Sequence, residues 1–102
     1  MAAIRSFGEF NSCLLGVTRF SGLTPWEQHP DADELLYVLE GAVDVTVLTD
    51  DGPLSVSVSA GSVFVVPRGL WHRQHARQCT ALLFATGETN ISWAEDPRVA
   101  KA

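Results

Sequence analysis

The chain has 102 residues, 46% of them hydrophobic and 19% charged, with a net charge of -5. A chain of this length supports one hydrophobic core and not two, so a single domain over residues 1–102 is expected. The acidic balance argues against a nucleic-acid or anionic-membrane surface, both of which need a basic footprint, and no apolar run approaches the roughly 18 residues of a membrane span.

The N-terminal MAAIRSFGEF lacks an apolar core and carries Glu9, unlike a secretory signal, which makes the cytoplasm the expected compartment. CLLGVTRF, from Cys13 to Phe20, predicts a first strand closed by the turn-prone SGLTP. Leu35 to Leu39 predicts a second, ending at Gly41. In VDVTVLT, alternation places Val43, Val45 and Val47 on one face; in LSVSVS it does the same for Leu54, Val56 and Val58. The intervening DDGP predicts a hairpin with an Asp-Gly turn. SVFVVP follows as a buried strand stopped by Pro67, and TALLFAT, from Thr80 to Thr86, as a last one. The tail ISWAEDPRVAKA has room for a turn of helix, but no segment sustains a 3.6-residue repeat. Many short strands with Gly, Pro and Asp between them predict an all-β sandwich or small barrel.

Two of these strands, LLYVL and VFVV, are apolar on both faces. One face meets the core, and the other needs a cover, from the N-terminal segment or from a second copy of the chain. A homodimer is therefore expected. Cys13 and Cys79 are too few for a disulfide framework; buried free thiols are expected, with a single bridge if their strands are neighbours.

The chemistry concentrates around two of the three histidines. His29 stands five residues before Glu34, and His72 follows the SVFVV strand in PRGLWH. Two imidazoles and a carboxylate gathered at one end of a barrel suit a divalent ion such as Fe, Mn, Ni or Zn, with positions left open for water or substrate. Glu27 adds a fourth ligand if alternation turns it to the same face as His29. The plain alternative is a solvated turn, since three histidines and twelve acids bring some neighbours together by chance. His75 should face away from His72 if both lie on one strand. Asp31 and Asp33 read as a turn or as partners for the free ring nitrogen of His29. Trp26 and Trp71 either wall a pocket or close the core, and Tyr37 reads as packing. Arg68, Arg73 and Arg77 either hold an anionic substrate or pair with surface acids.

GSVFVVPRGLWHRQHA resembles the second cupin motif, G-x5-P-x-G-x2-H-x3-N: Gly61, Pro67, Gly69 and His72 fall in place, and Ala76 replaces the final Asn. The region about 22–41 resembles the first motif, G-x5-H-x-H-x3–4-E-x6-G, through His29, Glu34 and Gly41. Gly22 is one residue closer than that motif asks, and Glu27 stands where its first histidine belongs. The hairpin over 42–60 lies between the motifs, the second of which spans about 61–76. The resemblance implies a double-stranded β-helix, or jelly-roll-like, barrel that is often dimeric and holds a divalent metal in its mouth. His29, Glu34 and His72 would be ligands, with Glu27 a further ligand, a general base, or neither. The activity implied is that of an enzyme on a small-molecule substrate, of oxygenase, isomerase or cyclase type. The alternatives are a non-catalytic module that binds or senses a sugar-like ligand, with or without metal, and a barrel that has lost its ion.

Overall fold

Period-two alternation becomes strand along most of the computed structural model, which describes residues 3–99. Nine strands form among these residues: β1 (Ala3–Phe10), β2 (Cys13–Leu23), β3 (Trp26–Gln28), β4 (Glu34–Glu40), β5 (Ala42–Thr49), β6 (Gly52–Ser59), β7 (Val63–Val66), β8 (His72–Thr86) and β9 (Asn90–Ser92). They belong to one sheet that curls into the expected all-β barrel. The long strand β8 organises it. Its first half, near His72 to Ala76, pairs with β3, β5 and the end of β2, and its second half, from Thr80 to Thr86, pairs with β2 and β4. Both ends of β8 therefore lie at the barrel mouth, and its middle lies at the base.

Most of the residues expected on one face of the hairpin are inside: Val43, Val45, Val47 and Val58 are buried with Leu36, Val38, Leu82 and Phe84, whereas Val56 is half-buried and Leu54, near the turn, is 52% exposed. At roughly 1.5–3 kcal/mol for each fully buried aliphatic or aromatic side chain, these residues supply the main driving force. The hairpin turn is one residue earlier than DDGP suggested. Thr49 pairs with Gly52, so Asp50 and Asp51 are the turn residues and Gly52 already belongs to β6. Pro53 is tolerated there because β6 pairs only with β5 and needs no donor on its other edge.

Three strands go beyond the sequence expectation. β1 forms a two-residue hairpin with β2 through Asn11 and Ser12, whose φ angles of 51° and 65° are those of a type I′ turn. β3 and β9 are three-residue pieces, too short to show a period. The tail departs from expectation: its first residues form β9, followed by one turn closed by Val99 N–H to the Asp96 carbonyl at 3.2 Å. Residues 100–102 of that tail lie outside the described residues. Asp96 and Pro97 favour a turn over a helix here.

The cysteines also differ from expectation. Cys79 is exposed and Cys13 only half-buried. The β2–β8 register pairs Leu14 with Thr86 and Phe20 with Thr80, which sets Cys13 at one end of the ladder and Cys79 beyond its Phe20–Thr80 pair, roughly 20 Å away at the usual strand rise. Both are free, and a bridge would need their Cα atoms within about 7 Å.

β1 extends the sheet beside β2 instead of folding over it, and its side chains are exposed. The outward rows Val17–Leu83–Tyr37–Val63 and Leu15–Ala85–Leu35–Val65 are thus left without a cover from the N-terminal segment.

Candidate metal centre

Glu27 is paired directly with His72 across β3 and β8, so both side chains leave the sheet on the same, inward face. His29 follows β3 at the rim, and Glu34 opens β4. A backbone hydrogen bond from Gly69 N–H to the His29 carbonyl (2.9 Å) ties the two histidine-bearing segments together, and Gln28 Nε2 donates to the Gly69 carbonyl (3.0 Å). Gly69 sits at φ +84°, a conformation that a side chain would strain.

These segments bring one donor atom each from Glu27, His29, Glu34 and His72 within 4.8 Å of one another. Glu34 Oε1 lies 3.2 Å from His29 Nε2 and 2.9 Å from His72 Nε2. Glu27 Oε1 is farther out, 4.0 Å and 3.9 Å from the same nitrogens, and its side chain keeps 28% exposure. His29, Glu34 and His72 are buried.

His29 is oriented from behind. Its Nδ1 lies 3.0 Å from the Glu88 carbonyl, which can only accept, so Nδ1 carries the proton and Nε2 presents its lone pair to the cluster. The hydroxyls of Thr86 and Thr89 lie 3.0 Å and 3.1 Å from the same Nδ1. His72 is different. It is fully buried, at 0% exposure, and neither ring nitrogen has an aligned hydrogen-bond partner despite the closeness of Nε2 to Glu34.

The electrostatics follow from this crowding. Burial pushes the Glu27 carboxyl above its ordinary range, and the charge of Glu34 adds to it, against the pull of His72 and His29. Burial also opposes ionisation of Glu34, but the pull of the His29 imidazole, 3.2 Å away, and of His72, 2.9 Å away, outweighs it and holds that carboxyl low. Burial pulls the His29 imidazole down, while Glu34, the Glu88 carbonyl and Glu27 raise it further, so its net shift is upward. Two imidazole nitrogens this close to one carboxylate call for something positive between them, a proton or a cation.

The residues fit a divalent ion. Donors about 2.1 Å from one ion stand about 3.0 Å apart at right angles and about 4.2 Å apart when opposed. The four separations between the imidazoles and the carboxylates, 2.9 to 4.0 Å, fall in that range. A coordinate bond would also satisfy the Nε2 of His72, which otherwise costs about 1–3 kcal/mol as an unpaired buried group.

The other candidates fall outside the cluster. His75 is exposed on the opposite face of β8. Asp31 accepts from Glu88 N–H (3.0 Å) and Asp33 from Arg68 N–H (2.8 Å), so both tie loops and neither touches His29. Trp26 is buried beneath the Arg73 guanidinium, 4.4 Å from its ring centroid, and neither Trp26 nor Trp71 lines the cavity beside the cluster. Arg77 pairs with Asp44 at 3.3 Å, and none of Arg68, Arg73 and Arg77 reaches that cavity. Tyr37 is half-buried on the outer face of β4. Thr86, Thr89 and Gln74 border the cavity without having been singled out in the sequence. Only Gln74 carries a signal there, two residues after His72 on the same strand face.

A family model described as Cupin matches residues 11–94. Germin-like protein 5-1 of Oryza sativa subsp. japonica is 48% identical over 54 residues, which cover 52% of this chain and 24% of that protein. Germin-like protein 1-1 of the same plant is 38% identical over 81 residues, 74% of this chain and 38% of that protein. The chain thus spans about a quarter to two-fifths of the length of these relatives. Among solved structures, a cupin-2 domain-containing protein from Shewanella frigidimarina superposes with a TM-score of 0.72 at 23% identity, over 84% of this chain and 80% of that one. Recombinant oxalate oxidase in complex with glycolate gives 0.73 at 21% identity, over 88% and 54%. At such identities the likeness establishes the fold alone. Barrel, motif order and a family match over most of the sequence agree: the chain belongs to the cupin family.

Proposed function

We propose that Glu27, His29, Glu34 and His72 hold one divalent metal ion, of the Fe, Mn, Ni or Zn kind, in the barrel mouth, and that a small-molecule substrate is bound and turned over beside it. The observation that carries this reading is His72, fully buried with both ring nitrogens unpartnered and Nε2 aimed among three other donors. An ion bound there would act as a Lewis acid or, if redox-active, as a site of oxygen chemistry.

The protein's own part is to fix the donors and manage protons. Glu34, lying between both imidazoles, is the central anionic donor. Glu27 is the outermost of the four, 4.0 and 3.9 Å from the imidazoles; if the ion is held by the other three alone, its carboxyl, raised by burial and bordering the cavity, is placed instead to take a proton from a molecule there. Leu36, Phe20 and Phe84 line the cavity beside it. Metal analysis of protein purified without chelator, beside His29→Ala and His72→Ala, tests the reading. Substantial metal in the wild type and its loss in both variants are expected; equal content in all three would overturn it.

We infer that a second copy of the chain covers the outer rows of β2, β8, β4 and β7. The two rows themselves carry Leu15, Val17, Leu35, Leu83, Val63 and Val65, and Arg5 beside Val17 and the Arg19–Glu40 ion pair border them, a surface suited to an identical face with an apolar centre and a charged edge. Sedimentation velocity should show a dimer at micromolar concentration, and a monomer throughout would contradict it.

A further inference from the structure

Beside the donor cluster lies a cavity of about 360 Å³. That is more than twice the roughly 150 Å³ that accommodates a benzene ring. Leu36, Leu82, Phe20, Phe84 and Pro25 make much of its wall. The only charged groups lining it among the described residues are the carboxylates of Glu27 and Glu34, with His29 beside them; no Arg or Lys borders it. Two carboxylates and two imidazoles around a divalent ion sum to no net charge. A dicarboxylate entering this cavity would lose its hydration among apolar side chains with no countercharge in the wall.

One polar group in the wall lacks a partner. Gln74 is 8% exposed, and its Oε1 is buried without a hydrogen bond. Its backbone is fixed on both sides by Thr24: Gln74 N–H donates to Thr24 Oγ1 (3.0 Å), and Thr24 N–H donates to the Gln74 carbonyl (2.9 Å). The side chain therefore leaves a backbone fixed by Thr24 on the same face as His72, borders the cavity, and carries an unmet, buried acceptor. Native proteins rarely leave such a group buried and unmatched unless water or a ligand meets it.

We propose that this cavity takes a neutral, largely apolar small molecule, of aromatic-ring size or larger, that donates a hydrogen bond from a hydroxyl or N–H group to Gln74 Oε1, and that it disfavours small dicarboxylates. The proposal deepens the metal-site reading by naming the substrate class of the same site. Gln74 acts here as a specificity residue.

Ligand-observed NMR titrations with benzyl alcohol, toluene and oxalate test it, on Zn(II)-loaded and on metal-free protein. Benzyl alcohol should bind both forms at least tenfold more tightly than oxalate. Gln74→Leu should weaken benzyl alcohol roughly fivefold, the worth of one net hydrogen bond, while leaving toluene unchanged. Should Gln74→Leu fail to fold, Gln74→Met, unbranched and of similar length, makes the same comparison. Tighter binding of oxalate than of benzyl alcohol would overturn the proposal, as would equal losses for benzyl alcohol and toluene in the variant. Metal content is measured on the same samples. Absence of metal would remove the metal reading alone, because the ranking of probes is expected in the metal-free protein as well.

Discussion

Strand β8 buries two polar side chains completely, Thr80 at the base of the barrel and His72 at its mouth, each at 0% exposure. Their surroundings are opposite. The Thr80 hydroxyl donates towards the Ala42 and Gln78 carbonyls, at 2.9 and 3.1 Å, and accepts from Ala42 N–H at 3.3 Å. Gly41, at φ +84°, leaves room for it, since a Cβ there would come within 2.7 Å of Thr80 Oγ1. His72 has no aligned hydrogen bond at either ring nitrogen and instead faces two carboxylates and a second imidazole. The base is closed by the protein's own groups. The mouth is left incomplete, and incompleteness at a rigid, buried position is what marks a site built for something else.

The comparison can be broken by exchanging the two effects. His72→Ala should weaken Zn(II) or Mn(II) binding by at least about 100-fold, more than the 10–100-fold typical of losing an outer partner, while the metal-free protein keeps its fold. Calorimetric titration beside circular dichroism measures both. Thr80→Val should do the reverse. It leaves Ala42 N–H unsatisfied and should lower stability by about 1–3 kcal/mol in urea melts, with metal affinity unchanged. A third variant, Thr86→Val, removes a hydroxyl 3.0 Å from His29 Nδ1 and should cost up to about tenfold in metal affinity, since only the orientation of His29 is loosened.

The smallest effect is that of pH. In the metal-free protein the folded-state values of His29 and Glu27 are raised. A raised value means that the folded state holds its proton more tightly, so stability is present at lower pH and lost as pH rises through the folded value. For His29 that loss begins above about pH 6.5. Glu34 has the opposite sign: its lowered value contributes stability that is lost only in acid, as pH falls through it. Metal competes with protons for the same atoms, so the metal-loaded protein should gain stability over the range where the metal-free protein loses it. Melting temperatures at pH 6 and pH 8.5, with metal and with chelator, should therefore change in opposite directions.

Much of the barrel was legible because burial leaves a period in the sequence. Val43, Val45 and Val47 alternate with polar residues and lie inside as their spacing required. The doubly apolar LLYVL also showed a second face, and Leu35 and Tyr37 lie on it. Strands β3 and β9 were not legible, for three residues cannot show alternation, and β1 was hidden because its side chains are exposed and carry no core pattern. The convergence of Glu27, His29, Glu34 and His72 was readable through the spacing of the two motifs. Its support was not. Thr86 and the Glu88 carbonyl reach His29 from nearly sixty residues away along the chain, a proximity created by the return of β8 to the mouth and unmarked by any local spacing. Asp31 and Asp33, the nearer choices for that role, are drawn off instead to loop N–H groups.

X-ray absorption at the metal edge of the reconstituted protein tests the central claim most directly. The expected spectrum has imidazole scattering from two histidines and oxygen at about 2.0–2.2 Å, with one histidine's contribution lost in His72→Ala. A metal environment without imidazole, or one unchanged in that variant, would contradict the assignment of the mouth as a metal centre.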